Sequence, residues 1–178
     1  MSRLHTVTPE QATGRAAELF GAIRKSMGKV PNAYVAIGAN SPVALEAALN
    51  LDAALRTGSL SAQQIEVVKL AVSALAGCDY CVAAHSLAGK RAGLTVEAIQ
   101  ALRGNVPTGD AAIDALATFV RRAAGTSGTV PAAVLQAVKE AGYSDAQVVD
   151  ALLAVASITF TNLLNRVNDT VVDFPALA

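Results

Sequence analysis

Helix start signals recur along the whole chain and restrict its fold more than any other feature of the sequence. Two long apolar segments open with a Ser-x-x-Gln capping box, at Ser61 with Gln64 and at Ser144 with Gln147. Gly58 closes an earlier apolar segment, as a glycine at the end of a helix does. Alternating apolar and polar runs bounded by hairpin turns are absent from the sequence. The pattern therefore predicts an all-α fold.

Caps and apolar periodicity predict about eight helices. An N-cap at Thr8 followed by Pro9 predicts a first helix that runs to about Ser26, and a loop over residues 27–40 follows it. The other predicted helices cover about 42–57, 62–76, 78–91, 95–103, 110–124, 131–141 and 145–168. A length of 178 residues suits a single domain over residues 1–178, with a C-terminal helical half at about 110–170.

A weak internal repeat emerges when the sequence is shifted by 83 residues. The segment LSAQQIEVVKLAVSAL (60–75) then aligns with YSDAQVVDALLAVASI (143–158), which has the same capping box and a similar apolar rhythm. We therefore expect two related helices packed about a pseudo-symmetric core. In this register Val149 lies opposite Glu66 and Asn168 opposite His85, so the second copy is expected to act as a scaffold.

Composition excludes several classes of function. The 14 basic and 14 acidic residues cancel and form no run of like charge, which argues against nucleic acid or a membrane surface as a partner. Only 16% of residues are charged and 53% are hydrophobic, so we expect some apolar surface to be covered in a homo-oligomer. The N-terminal residues lack the pattern of a signal peptide, which predicts a cytoplasmic protein. The apolar run 151–164 is shorter than the roughly 20 residues that span a bilayer, and we interpret it as a buried helix.

The stretch AGCDYCVAAHS (76–86) contains both cysteines and one of the two histidines. Cys78 and Cys81 stand at a predicted helix N-terminus, which favours a thiolate. A thiolate attacks a peroxide or a disulfide, and the second thiol then resolves the product. In a reducing compartment the pair favours redox chemistry, with a zinc site and an inert pair as the alternatives.

Cofactor sites of the common kinds are not expected. Zinc would need a further ligand beyond Cys78, Cys81 and His85, and the sequence has no second Cys-x-x-Cys. Val82 stands where the c-type haem motif has a histidine, and no glycine-rich phosphate loop follows a strand. We predict a protein with no metal, nucleotide or haem cofactor.

His85 and Glu66 are the candidate acid–base residues. His85 lies one helical turn after Cys81, where its imidazole can exchange the thiol proton. Helical periodicity alone favours a surface pairing of Glu66 with Lys69. In an ideal hairpin that turns at Gly77, Glu66 would lie about 16 Å along its helix and His85 about 12 Å along the other. A contact between them would therefore need a water or a steep helix crossing.

Two further polar groups surround this motif in the sequence. Tyr80 lies inside the cysteine pair, where it could donate a hydrogen bond near the thiolate or cover it from solvent. A polar cluster that contains Asn162, Asn165 and Asn168 closes the last apolar segment. We expect these asparagines to cap the helix and to contact other subunits.

The spacing of Glu66, Cys78, Cys81 and His85 resembles that of the AhpD-like alkylhydroperoxidases of the carboxymuconolactone decarboxylase superfamily. Their motif is a glutamate, a cysteine twelve residues later, a second cysteine after two more residues, and a histidine four positions further on. The resemblance covers about 45–105 as its core. The segments VPNAYVAIGANSP, FTNLLNRVND and DFP also resemble the longer, peroxidase-related members.

The resemblance implies an AhpD-like orthogonal helical bundle that works as a trimer or hexamer without a cofactor. It further implies that Glu66, through water, and His85 deprotonate Cys81, which attacks the peroxide. Cys78 then resolves the sulfenic acid, and a lipoyl or thioredoxin-like protein reduces the disulfide. Tyr80 stands where some members have a second histidine.

Three other functions remain open from the sequence. A Cys-x-x-Cys pair also catalyses thiol–disulfide exchange. A redox sensor would change its oligomeric state when the disulfide forms. Decarboxylation is the less favoured function, because the decarboxylase branch of this superfamily generally lacks the cysteine pair.

Overall fold

A computed structural model of the chain describes residues 2–175, and in that range the backbone forms nine α-helices and no strand. The helices are α1 (Gly14–Met27), α2 (Asn32–Asn40), α3 (Pro42–Thr57), α4 (Ala62–Leu75), α5 (Asp79–Arg91), α6 (Val96–Gly104), α7 (Ala111–Gly125), α8 (Ala132–Glu140) and α9 (Asp145–Asn168). The all-α prediction is confirmed, and from α3 onward the predicted helices match the observed ones to within a residue or two.

The N-terminal region differs from the prediction in two places. The predicted loop over 27–40 contains α2, which Gly28 and Pro31 separate from α1. Five of its nine residues are buried, so tertiary packing holds this short helix where local signals indicated a loop. Helix α1 begins at Gly14 instead of near Thr8, because the Gln11 amide donates to the Thr8 carbonyl (2.9 Å) and closes a separate turn.

Helix α4 lies at the centre of the molecule. Eight of the nine residues from Ile65 to Ser73 are buried. They lie on all sides of the helix, as expected for a helix that is surrounded by others. It packs against α5, α6, α7 and α9, while a smaller apolar cluster around Phe20 joins α1, α2 and α3. Residues carried by α4 and by the adjoining face of α5 are therefore held by most of the core.

The two copies of the repeat are α4 and α9, and both predicted capping boxes form. Ser61 accepts from the Gln64 amide and Ser144 from the Gln147 amide, with each glutamine returning a bond to its serine amide. The helices pack against each other, and Gln147 Nε2 donates to Gln64 Oε1 at 3.5 Å. The two helix starts therefore meet at equivalent residues, 83 positions apart.

Helix α9 buries one face only. It has 24 residues and is long and apolar enough to cross a membrane when judged by length and composition alone. One face, which includes Ala151, Ala154 and Ile158, is buried in the core. The opposite face exposes an apolar stripe of Val149, Leu152, Phe160, Leu163 and Val167. The expectation of a fully buried helix is therefore wrong for this outer face.

Candidate active site

The segment that carries the two cysteines begins where α4 ends and the chain turns at Gly77. Gly77 adopts a left-handed conformation (φ +62°), which glycine reaches at little cost, and the Cys78 amide donates back to the Ser73 carbonyl at 3.1 Å. The guanidinium of Arg166, on α9, donates to the Ala76 carbonyl. The chain then starts α5 with Cys78 as its N-cap residue.

The two cysteines form a close, reduced and buried pair. Their sulfur atoms lie 2.7 Å apart, and each residue is only 2% exposed. The Cys81 amide donates to Cys78 Sγ at 3.3 Å, as it would to any N-cap acceptor. The Cys81 thiol, together with this amide, lowers the pKa of Cys78 despite burial. The neighbouring Cys78, together with burial, raises the pKa of Cys81.

Glu66 and His85 meet directly. The imidazole Nδ1 lies 2.8 Å from Glu66 Oε2, and both side chains are more than 80% buried. The close packing of α4 against α5 thus brings the two residues together without a bridging group. In the neutral imidazole, Nδ1–H donates to the carboxylate and Nε2 is left as the acceptor.

Lys69 has a different partner from the one that helical periodicity favours. Its Nζ lies 2.7 Å from Asp52 Oδ1 on α3, and Ser157 of α9 donates to the same oxygen at 2.8 Å. Burial opposes ionisation of Asp52, but Lys69 outweighs it and the pKa of Asp52 is lowered. The surface pairing of Glu66 with Lys69 is therefore wrong, and Glu66 is left to His85.

These groups line one cavity of about 200 Å³. Its polar lining consists of Cys81, His85, Glu66, the Asp52–Lys69 pair, Arg56, Arg91, Ser157, Thr161 and Asn165. Much of the remaining wall is apolar or aromatic, contributed by Met27, Pro31, Ala33, Tyr34, Tyr80, Ala84, Leu87, Ala88 and Phe174. Cys78 faces a separate shallow groove bordered by Arg166 and Asp169. The cavity can therefore accept a small organic molecule with its polar end towards Cys81.

Tyr80 fixes one wall of the cavity. Its hydroxyl accepts from the Ala33 amide at 3.0 Å and donates to Asp173 Oδ1 at 2.8 Å. Burial, with Asp173 nearby, raises the pKa of Tyr80, so the hydroxyl stays protonated. Its ring also packs edge-on against Phe174, with the ring centroids 5.4 Å apart. Tyr80 thus attaches α2 and the C-terminal segment to α5, with its hydroxyl engaged away from either sulfur.

Asn165 is a site residue that sequence reasoning missed. It was expected to cap α9, yet its Nδ2 donates to Cys81 Sγ at 3.3 Å and the residue is 4% exposed. Asn168 instead binds the N-terminal segment, because its Oδ1 accepts hydrogen bonds from the amides of Arg3 and Leu4. The available signal was periodicity, because Asn165 continues the buried face of α9 that runs through Ala151 and Ile158. A polar residue at such a position needs a buried partner.

The structure thus brings Cys81, His85, Glu66 and Tyr80 to one cavity and places Cys78 behind Cys81. His5 lies apart from them, with its carbonyl bonded to Asn40. Within residues 2–175, no three His, Cys, Asp or Glu side chains are grouped to hold a metal ion.

Comparison with known proteins finds similarity to one protein family over the central part of the chain. Residues 42–124 match the carboxymuconolactone decarboxylase family. An alkyl hydroperoxide reductase of Mycobacterium tuberculosis is 30% identical over 126 residues, which is 71% of this chain and 36% of that protein. This chain therefore spans little more than a third of that relative's length.

Solved structures share the fold over nearly the whole chain. A peroxidase-related protein with an alkylhydroperoxidase AhpD core from Ralstonia eutropha JMP134 superposes with a TM-score of 0.84 at 20% identity, covering 97% of this chain and 92% of that one. The debrominase Bmp8 superposes with a TM-score of 0.78 at 17% identity, covering 97% and 93%. Residues 42–124 therefore resemble the carboxymuconolactone decarboxylase family, and the chain as a whole shares the helical fold of these solved structures.

Proposed function

We propose that this protein is a cofactor-independent peroxidase that reduces organic hydroperoxides or hydrogen peroxide through Cys78 and Cys81. The observation that carries the proposal is the buried cysteine pair beside a hydrogen-bonded Glu66–His85 pair on one cavity. The name of the mycobacterial relative, an alkyl hydroperoxide reductase, supports the same reaction class. The apolar walls favour organic hydroperoxides over hydrogen peroxide.

The reaction starts with removal of the Cys81 proton. Glu66 accepts the Nδ1–H bond of His85 and so keeps Nε2 free to take that proton, which makes Glu66 a positioning residue and His85 the base. The Cys81 thiolate then attacks the terminal oxygen of the hydroperoxide. An S–O bond forms, the O–O bond breaks, and the departing alkoxide takes the proton back from His85. The products are an alcohol and a sulfenic acid on Cys81.

Cys78 completes the cycle from behind. Its sulfur already lies 2.7 Å from that of Cys81, so it can attack the sulfenic sulfur and form a disulfide, while the sulfenic hydroxyl leaves with the Cys78 thiol proton as water. A dithiol reductant, of lipoyl or thioredoxin-like type, then transfers two electrons and two protons to restore both thiols. Cys81 is assigned the attacking role because it lines the cavity with His85, whereas Cys78 does not.

Thiol–disulfide exchange is a second candidate function, and one observation favours it. Cys78 is the N-cap of α5 and has a lowered pKa, and it lines the groove bordered by Arg166. A thiolate at that position suits attack on a disulfide. In this case Cys78 attacks first and Cys81 resolves.

Single-turnover kinetics separate these candidates. Reduced wild-type protein mixed with cumene hydroperoxide should oxidise rapidly, and Cys81→Ser should abolish this step. Cys78→Ser should still react once, giving a sulfenic acid that dimedone traps and no disulfide. Rapid oxidation of Cys81→Ser would contradict the peroxidase assignment. A wild type that turns over a small disulfide much faster than the peroxide would favour the second candidate.

We further propose that the protein is a cytoplasmic homo-oligomer. The apolar stripe on the outer face of α9 supports self-association, because large exposed apolar patches are uncommon on monomers. Light scattering on the full chain gives the subunit count, for which a trimer or hexamer is expected. A mass that changes between reduced and oxidised protein would indicate the redox-sensor function instead.

A further inference from the structure

The carboxamide of Asn165 is held at the reacting sulfur with half of its hydrogen-bonding capacity unused. Nδ2 donates to Cys81 Sγ at 3.3 Å, and the residue lines the same cavity as His85. Its Oδ1 is fully buried and has no hydrogen-bond partner among the described residues. Leaving a buried amide oxygen unpaired is costly, and because Asn165 lines the cavity, a ligand there that donates to Oδ1 would remove this cost.

The donor side of the carboxamide has a clear chemical consequence. A neutral thiol is a weak acceptor, whereas a thiolate accepts strongly, so a fixed N–H at sulfur favours the charged form. The neighbouring Cys78 and burial both disfavour ionisation of Cys81, and Asn165 and Thr161 oppose them. The acceptor side lies on the same rigid amide, two bonds away from the nitrogen that holds the sulfur. A group bonded to Oδ1 is therefore held next to Sγ.

We infer that Asn165 is a catalytic residue with two contacts, in which Nδ2 stabilises the Cys81 thiolate and Oδ1 accepts a hydrogen bond from the O–H of the hydroperoxide. This inference rests on the proposed peroxidase function and assigns a binding subsite for the hydroperoxide group. The ligand class is a peroxide that still carries its proton on the terminal oxygen.

The two contacts are compatible with the balance of the reaction. Sγ attacks the terminal oxygen, which keeps its own hydrogen throughout, so the O–H···Oδ1 bond of the substrate becomes the O–H···Oδ1 bond of the sulfenic acid. The S–O bond forms from the sulfur lone pair, and the O–O bonding pair leaves with the alkoxide. The alkoxide is protonated by His85. Asn165 gains and loses no proton in this step.

The chain offers a matched control for this inference. Asn162 lies one turn before Asn165 on α9 and is also buried, at 3% exposure. Both of its side-chain polar atoms lack a partner among the described residues, and it makes no contact with a sulfur. Replacing either asparagine by leucine changes polarity and volume equally. Only the change at residue 165 removes a group from Cys81.

The experiment compares Asn165→Leu, Asn165→Asp and Asn162→Leu in a Cys78→Ser background. Thiolate absorbance at 240 nm against pH gives the pKa of Cys81, and stopped-flow oxidation by cumene hydroperoxide gives a rate per thiolate. The other ionisable groups that line the cavity around Cys81 are His85 with Glu66, the Asp52–Lys69 pair, Tyr34, Tyr80, Arg56 and Arg91. They are common to all variants, and circular dichroism confirms folding.

Asn165→Leu should raise the pKa of Cys81 by about one unit and lower the rate per thiolate at least tenfold, whereas Asn162→Leu should change neither. Asn165→Asp keeps an acceptor and replaces the donor by a negative charge. It should raise the pKa of Cys81 further yet retain a rate per thiolate within about threefold of the Cys78→Ser parent. Equal behaviour of Asn165→Leu and Asn162→Leu in both measurements would overturn the inference.

A raised pKa of Cys81 with an unchanged rate per thiolate in Asn165→Leu would also overturn the inference, because the contact of Oδ1 with the hydroperoxide would then contribute nothing to the rate. Failure of the proposed peroxidase function would give a result distinct from failure of this inference. In that case the Cys78→Ser parent itself does not react with the hydroperoxide, while the pKa comparison can still be made.

Discussion

The two copies of the internal repeat begin alike and end differently. Helices α4 and α9 start with the same capping box and meet through Gln64 and Gln147. The first copy breaks at Gly77 and restarts as α5. The second continues through the equivalent position, Phe160, as one helix of 24 residues. The break is therefore the main difference between the copy that carries the cysteines and the copy that does not.

That break creates the chemistry of the first copy. Restarting the chain makes a helix N-terminus at Cys78, where backbone amides favour a thiolate. Turning α5 back along α4 brings His85 to Glu66, which a continuous helix could not do. The unbroken α9 instead presents Ser157 and Asn165 along one face towards Asp52 and Cys81. One copy thus supplies the reacting groups, and the other supplies a hydrogen-bond donor to Cys81.

The largest effect is expected at the buried ion pair that links α3 with both copies. Asp52→Asn leaves the Lys69 ammonium, whose side chain is 8% exposed, without its charged partner. We expect the free energy of unfolding to fall by about 3 kcal/mol or more, measured by urea denaturation. Released Lys69 would also compete with His85 for Glu66, three residues away on α4, so peroxidase activity should fall as well.

The double variant Asp52→Asn/Lys69→Met should recover most of this stability, and Asp145→Asn, at an exposed pair with Lys139, should cost under about 1 kcal/mol. The pKa of Asp52 is lowered in the folded state. The stability that its carboxylate contributes is therefore complete above its ordinary pKa of about 3.9 and is lost as pH falls through the lower, folded-state pKa. A double variant with the same acid sensitivity as wild type would contradict this assignment.

Glu66→Gln tests the Glu66–His85 pair, which the first copy of the repeat and α5 bring together. Loss of the carboxylate leaves His85 without its oriented, charged partner, and kcat/KM for cumene hydroperoxide should fall about 100-fold at pH 7. The deficit should shrink at a pH where Cys81 ionises without a base. Glu97→Gln, on the surface of α6, is the control and should retain wild-type activity. A Glu66→Gln deficit that stays the same at all pH values would indicate a structural role.

The smallest effect tests the equivalence of the two helix starts. Ser61→Ala and Ser144→Ala each remove one capping box and should each cost about 1 kcal/mol in the free energy of unfolding, with neither changing the cysteine chemistry. Because Gln64 and Gln147 touch, the double variant should depart from additivity by a few tenths of a kcal/mol. Clearly unequal single costs would show that the two starts are not equivalent in packing.

Local signals sufficed for most of the helices. The serine caps, glycine stops and apolar spacing are properties of a few neighbouring residues, and they located seven helices from Pro42 onward. They were wrong about α2, because Gly28, Pro31 and Asn32 indicate a loop locally. Packing against α1, α3 and α9 and the hydrogen bond from Ala33 to Tyr80 hold that helix.

The amino-acid sequence by itself determined the all-α class, the boundaries of the helices from α3 onward and the spacing of Glu66, Cys78, Cys81 and His85. Tertiary structure decided which charged side chains pair, because Lys69 can reach Glu66 along the helix but bonds to Asp52 across the core. It also decided that Asn165, 84 residues from Cys81 in sequence, contacts the sulfur. Partners within one helical turn follow from local periodicity. Partners on different helices depend on how the whole core packs.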